Sequence, residues 1–188
     1  MTDEEIASEV QKGGTESFGI LVERYEAKMR RYGRKFMSNG QDIEDIVQDI
    51  FIKAYKNIQS FDAGMSFSPW IYRVAHNTFI NALKKNSRMP LSLFDFDTVF
   101  PQPVAPETAD GEADRQSTKK ILDRCLIKLD LKYREPLVLY YFEEMNYPEI
   151  AEIMHIPLST VGVRLNRGKA SLKKIFKEKY PNYETGQK

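Results

Sequence analysis

Residues 156–169 read IPLSTVGVRLNRGK. Two hydroxyls, Ser159 and Thr160, stand a turn ahead of two guanidinium groups, Arg164 and Arg167, with Val161 and Leu165 between them. Hydroxyls at a helix start can meet phosphate oxygens, and Arg offers a two-pronged donor that matches the major-groove edge of guanine. Farther on, Lys169, Lys173, Lys174 and Lys177 add attraction for a phosphate backbone of any sequence. The same spacing also describes a solvated amphipathic helix, so the surrounding elements must choose between the two.

Those elements form a recognisable unit. NYPEIAEIMHIP (146–157) predicts a short helix from about Pro148 to Met154, and His155–Leu158 a turn. A long basic helix follows from about Ser159 to Tyr180, which completes a helix-turn-helix arrangement. On the last helix Val161, Leu165, Gly168, Leu172 and Phe176 share a packing face. Thr160, Arg164, Arg167 and Ser171 share another, with Ser159, Val163 and Asn166 beside it. Upstream, Ile121, Leu122, Cys125, Leu126 and Leu129 predict a helix core that buries the single thiol. Asp130 is placed as a cap and Pro136 near the first turn of the following helix, where it lacks no helical hydrogen bond.

The N-terminal part carries different chemistry. On a helix over 42–58, Ile43, Val47, Ile50, Phe51 and Ala54 keep core spacing, while Asp45, Gln48, Asp49 and Ile52 face away. An apolar residue in an acidic stripe is either a protein interface or a solvated face. A metal-dependent nuclease site built on Asp42, Glu44, Asp45 and Asp49 is disfavoured, because only Asp45 and Asp49 share a face. FDAGMSFSP (61–69) predicts a loop, with Ser68 capping and Pro69 opening a helix to about Asn86. Trp70, Ile71, Val74, Ala75, Thr78 and Ala82 form its core stripe. Arg73, Asn77, Asn81, Lys84 and Arg88 form an opposite face of amides and cations that suits a nucleic-acid strand. Lys28, Arg30, Arg31, Arg34 and Lys35 form a basic cluster that either meets DNA or is solvated. His76 and His155 lack partners at metal-binding spacing and are placed on helix surfaces. Earlier still, Thr2 and Glu5 make a capping-box pattern closed by Gly13–Gly14, and apolar 3-4 spacing runs from Thr15 to Met37.

The whole chain is consistent with an all-α protein of two small helical domains joined by an extended acidic linker. We expect an N-terminal domain over 1–88, a linker over 89–115, a helix-turn-helix domain over 116–180 and a tail over 181–188. Net charge is only +1, but Asp95, Asp97, Glu107, Asp110, Glu112 and Asp114 lie in a stretch without Lys or Arg. The remainder of the chain is therefore basic. One cysteine excludes an internal disulfide and a multi-Cys metal site. The acidic start MTDEEIASEV lacks a secretion-signal layout, and no apolar run approaches a membrane span, which fits a cytoplasmic protein without membrane insertion.

Residues 133–174, YREPLVLYYFEEMNYPEIAEIMHIPLSTVGVRLNRGKASLKK, resemble the C-terminal DNA-binding domain of extracytoplasmic-function (ECF) sigma factors of the sigma-70 family. FGILVERYEAKMRRYGRKF, DIEDIVQDIFIKAY and FSPWIYRVAHNTFINALKK resemble that family's polymerase-binding and promoter-opening domain, in the same order. The resemblance implies that Asp45, Gln48, Asp49 and Ile52 dock on the clamp helices of the largest subunit of core RNA polymerase. It implies that Met65, Ser66 and Phe67, with Arg73, Asn77, Asn81 and Lys84, hold an unstacked base and strand of the −10 element. It further implies that Ser159, Thr160, Val163, Arg164, Arg167 and Lys169 read duplex DNA at −35, that an anti-sigma factor is a partner, and that no metal or cofactor is needed. The chain departs from the family at Ser159, Gly162 and Val163, where Gly, Lys and Ser are common. A free-standing helix-turn-helix regulator would use 116–180 alone and leave the features of 42–88 without a role.

Overall fold

The computed structural model describes residues 1–86 and 114–181, and every regular element among them is helical. Eight α-helices follow one another: α1 Asp3–Gln11, α2 Phe18–Gly33, α3 Gly40–Asn57, α4 Phe67–Asn86, α5 Asp114–Ile127, α6 Leu131–Tyr141, α7 Tyr147–Met154 and α8 Leu158–Lys179. The linker expected over 89–115 lies outside the described residues except for its last two, which are already helical in α5. The tail beyond residue 181 lies outside them too.

Local chemistry sets the ends of these helices. Thr2 accepts from the Glu5 backbone N–H at 3.2 Å while the Glu5 carboxylate accepts from the Thr2 N–H at 2.8 Å, the reciprocal box anticipated from the sequence. The helix expected to run to Met37 stops at Gly33, because Lys35, Phe36 and Met37 turn inward and are buried. Gly33 lies so close to the ring of Phe79 that a Cβ there would sit 2.6 Å from it. Gly40 does not separate two helices. It opens α3, and Asn39 before it caps the Gln41 N–H at 3.0 Å.

α4 begins at Phe67, two residues before the expected start, because Glu4 Oε1 accepts the Phe67 N–H at 2.9 Å. Gln11 clamps the other side of the preceding loop, donating to Ile58 O at 2.8 Å and Phe61 O at 2.7 Å. Pro136 falls inside α6 rather than in its first turn. Arg134 donates to the Leu129 carbonyl at 2.7 Å and to that of Ile127, and Leu131 is buried, so the helix is anchored five residues ahead of the proline. Asp130 precedes α6 as expected but its side chain makes no cap bond. Cys125 is buried, as the sequence implied.

The two halves pack against each other. One continuous apolar core runs from Ile6 to Leu165, and α7 lies along α4. α4 is therefore covered on more than one side: Tyr72, His76, Phe79 and Ile80 are buried as well as Trp70, Ile71, Ala75 and Thr78. His76 is not on a helix surface. Its Nδ1 lies 2.5 Å from Oε1 of Glu135, and both side chains are buried.

Candidate nucleic-acid and polymerase interfaces

α8 orients its side chains as the spacing required. Val161, Leu165 and Gly168 are buried against α6 and α7, with a Cβ at Gly168 only 3.0 Å from Leu137 Cδ1 and 3.1 Å from the Tyr133 carbonyl. Ser159, Val163, Arg167 and Lys169 are exposed, and Thr160 and Arg164 are half-buried beside them. Close seating of α6 under Gly168 fixes the axis of α8 and so aims this row outward. His155 takes a left-handed conformation (φ 52°) that ends α7 and makes the turn. Val163 is exposed beside the polar row, and Leu158 adds exposed apolar surface at the start of α8 that the sequence reading did not weigh.

On α3 all four candidate contact residues, Asp45, Gln48, Asp49 and Ile52, are exposed, while Ile43, Val47, Ile50 and Ala54 hold the helix down. Ile52 is 52 % exposed, and Tyr55 beside it is 42 % exposed. Tyr55 was missed by sequence reasoning, although its position three residues after Ile52 extends the stripe by one turn. Asp49 pairs with Lys53 at 2.6 Å and Glu44 with Arg30 at 2.7 Å. Among the described residues no three His, Cys, Asp or Glu side chains gather where a metal ion could bind.

The residues expected to hold a DNA strand do not all share one surface. Met65 and Ser66 are exposed on the loop, and Asn77 and Asn81 are exposed on α4 with Arg73 and Lys84 partly covered beside them. Phe67 is different: it is 1 % exposed, edge-on to Tyr25 at 5.5 Å and to Phe61 at 5.3 Å. Burying that ring among aromatics releases more apolar surface from water than a loop position would, so Phe67 supports the loop from below and its ring does not face solvent. Trp70 is core, stacked obliquely on Phe61 and Phe67. Tyr72 is also buried and donates to the Glu143 carboxylate.

A cleft of about 370 Å³ lies between the 60–66 loop, the start of α4 and the start of α7. Met65, Ser66, Trp70 and Arg73 line one side, and Asn146, Pro148 and Glu152 the other. Arg73 Nη1 meets Glu152 Oε1 at 3.1 Å across it. The basic cluster on α2 is also engaged. Arg31 donates to Glu143 at 2.6 and 3.1 Å, Lys35 pairs with Asp123 and lies 4.2 Å over the ring of Phe142, and Arg30 bridges Glu26 and Glu44. Tyr32 Oη donates to Glu135 at 2.5 Å. Burial and these carboxylates push the Tyr32 and Tyr72 hydroxyls well above the ordinary tyrosine range, so both remain protonated donors. Such pairs across distant sequence leave no periodic trace, so spacing alone does not reveal them.

Comparison with known proteins places the chain in a family. The family model of Sigma-70 region 2 matches residues 21–89, and that of Sigma-70 region 4 matches residues 119–172. Over 181 residues the chain is 34% identical to the ECF RNA polymerase sigma factor SigW of Bacillus subtilis (strain 168), across 90% of this chain and 94% of that one. It is 31% identical over 179 residues to the ECF RNA polymerase sigma-E factor of Escherichia coli (strain K12), across 92% and 93% of the two chains. The solved structure of CnrH in complex with the cytosolic domain of CnrY is similar with a TM-score of 0.70 at 25% identity, over 95% of this chain and 99% of CnrH. The sigma factor RpoE of Bartonella quintana, solved with the anti-sigma factor NepR, shares the fold with a TM-score of 0.65 at 22% identity, over 85% and 96%. No described helix is long and apolar enough to cross a membrane. With two family models matched in order and relatives above 30% identity over nine-tenths of its length, the chain belongs to the ECF sigma factors of the sigma-70 family.

Proposed function

We propose that this ECF sigma factor binds core RNA polymerase through the α3 stripe, directs it to promoters and helps to open them. Asp45, Gln48, Asp49 and Ile52, extended by Tyr55, dock on the clamp helices of the largest polymerase subunit. Ser159, Thr160, Val163, Arg164, Arg167 and Lys169 read duplex DNA at the −35 element. Met65 and Ser66, with Arg73, Asn77, Asn81 and Lys84, hold the unpaired non-template strand at −10, and the buried Phe67 keeps the loop in shape. Unstacking a base costs a few kcal/mol, which a shaped loop and cationic tracking of the backbone can offset. The protein is not itself an enzyme and acts in the cytoplasm, where its polymerase is.

The observation that carries this reading is the solvent-facing row on α3, in which Ile52 is half exposed among acids. A regulator that acts alone on DNA has no use for such a row. An anti-sigma partner is part of the proposal because CnrH and the Bartonella RpoE were each solved with a bound partner, the latter named an anti-sigma factor. Run-off transcription with core polymerase on genomic fragments, with mapped 5′ ends, tests the reading. New start sites that depend on the protein are expected. Unchanged start sites, together with tight operator binding in the absence of polymerase, would replace it with a free-standing regulator.

A further inference from the structure

The outward side of α8 has a centre, and that centre is apolar. Ser159, Val163, Asn166, Arg167 and Ala170 are all exposed, opposite the buried Val161, Leu165 and Gly168. Residues three and four apart on a helix are neighbours, so Val163, 47 % exposed, stands among Ser159, Asn166 and Arg167. Thr160 and Arg164 are half-buried on one flank of this row. The other flank is bare: Gly162, one turn ahead of Asn166, has no side chain, and a Cβ there would meet only the Tyr147 ring, at 3.6 Å. The row therefore offers an isopropyl group, an amide and a guanidinium side by side.

Each of these groups has its own counterpart in the major groove. Arg pairs two-pronged with guanine, Asn pairs two-pronged with N6 and N7 of adenine, and an apolar side chain meets the 5-methyl group of thymine. Against cytosine, Val163 covers the N4 donor without offering it an acceptor, and a desolvated donor left unpaired is costly. Val163 thus discriminates by exclusion as well as by attraction. On the proposed seating of α8 at the −35 duplex, on which this rests, we infer that Asn166 is a base-reading residue and that Asn166 and Val163 together select A·T pairs in that element. The amide takes an adenine, and the isopropyl group takes a thymine methyl next to the guanine held by Arg167. Helix neighbours of this kind have Cβ atoms about 5–6 Å apart, and base pairs step by about 3.4 Å, so the two contacts fall on the same or adjoining pairs. One buried methyl changes affinity about fourfold, and a two-pronged contact to the right base about 5- to 150-fold.

The test uses the full chain bound to core polymerase, on a promoter mapped by run-off transcription, with affinity read by footprint titration. Each thymine of the −35 element is replaced in turn by deoxyuridine, which lacks the 5-methyl group. Each adenine is replaced in turn by 7-deazaadenine, which lacks the N7 acceptor. At one thymine or more, uracil should weaken the wild type about fourfold and leave Val163→Ser unaffected. At an adenine on the same or an adjoining pair, the deaza base should weaken the wild type about fivefold and leave Asn166→Ala unaffected. Both residues are exposed, so unchanged melting temperatures separate a lost contact from a lost fold. A −35 element without an A·T pair, base analogues that the wild type does not register, or penalties that persist at full size in the variants overturn the assignment. Arg167→Ala keeps the two ideas apart. If it too leaves the footprint unchanged, the −35 reading itself falls; a loss with Arg167→Ala beside indifference to both analogues sinks the Asn166–Val163 selection alone.

Discussion

Replacing Ile52 with Ala should weaken binding to core polymerase while leaving the free protein as stable as before. Full burial of an Ile side chain is worth about 1.5–3 kcal/mol relative to exposure. In the free chain 52 % of Ile52 is still exposed, so docking has about half of that gain left to make. The lost contribution is then about 0.8–1.6 kcal/mol, which corresponds to roughly a 4- to 15-fold weaker complex. A surface truncation of this kind changes folding stability by less than about 0.5 kcal/mol. Ile50, two residues away, gives the contrast. It is fully buried, and Ile50→Ala should cost about 2–5 kcal/mol of stability through the cavity it leaves. Competition between labelled wild type and unlabelled variant for core polymerase measures the first effect, and urea denaturation the second. An Ile52→Ala protein that competes within twofold of wild type, or one that loses affinity only because its denaturation midpoint falls, would refute the assignment of α3 as the docking face.

Arg167→Ala should reduce binding of the polymerase complex to its own −35 duplex by about 1–3 kcal/mol, seen by footprinting, with the melting temperature unchanged because Arg167 is exposed. Gly168→Val should destabilise the helix-turn-helix half by about 1–3 kcal/mol in thermal denaturation, since the added carbons meet Leu137 and the fixed carbonyl of Tyr133. The packing of the two halves should depend on pH. Burial disfavours a charged His76, but the Glu135 carboxyl outweighs it and holds the imidazole above its ordinary 6.5. A raised value in the folded chain means the contribution is complete below about pH 6.5 and is lost as pH rises through that folded value. Hydrogen exchange of α4 and α6 should become faster over that interval, and His76→Asn should remove the step.

Where one helix could be read by itself, the sequence was sufficient. The Thr2–Glu5 box, the α3 stripe and the packing side of α8, Val161, Leu165 and Gly168, all follow from spacing, and the structure has each of them; of the polar face Thr160, Arg164, Arg167 and Ser171, only Arg167 is fully exposed and the other three are half-buried. What escaped depends on residues distant in sequence. α4 was assigned one buried face, yet the C-terminal half covers a second, so His76 moved from the surface into contact with Glu135, and Tyr72 is buried against Glu143. Phe67 was placed with the loop because its neighbours are Gly, Ser and Pro, but Glu4 supplied the missing cap and the aromatic cluster took the ring. Gly33 sits inside the 3-4 spacing from Thr15 to Met37 with no local sign of its close approach to Phe79, and Gly40, which reads as punctuation, is the first residue after an Asn cap.

Glu4 and Gln11, both on α1, tie down the two feet of the 61–67 arch. The opening residues of the polypeptide are thus carpentry for a span some fifty positions away. A purification tag or fluorescent fusion placed ahead of Thr2 pulls on that framing, and attachment after Lys179 spares it.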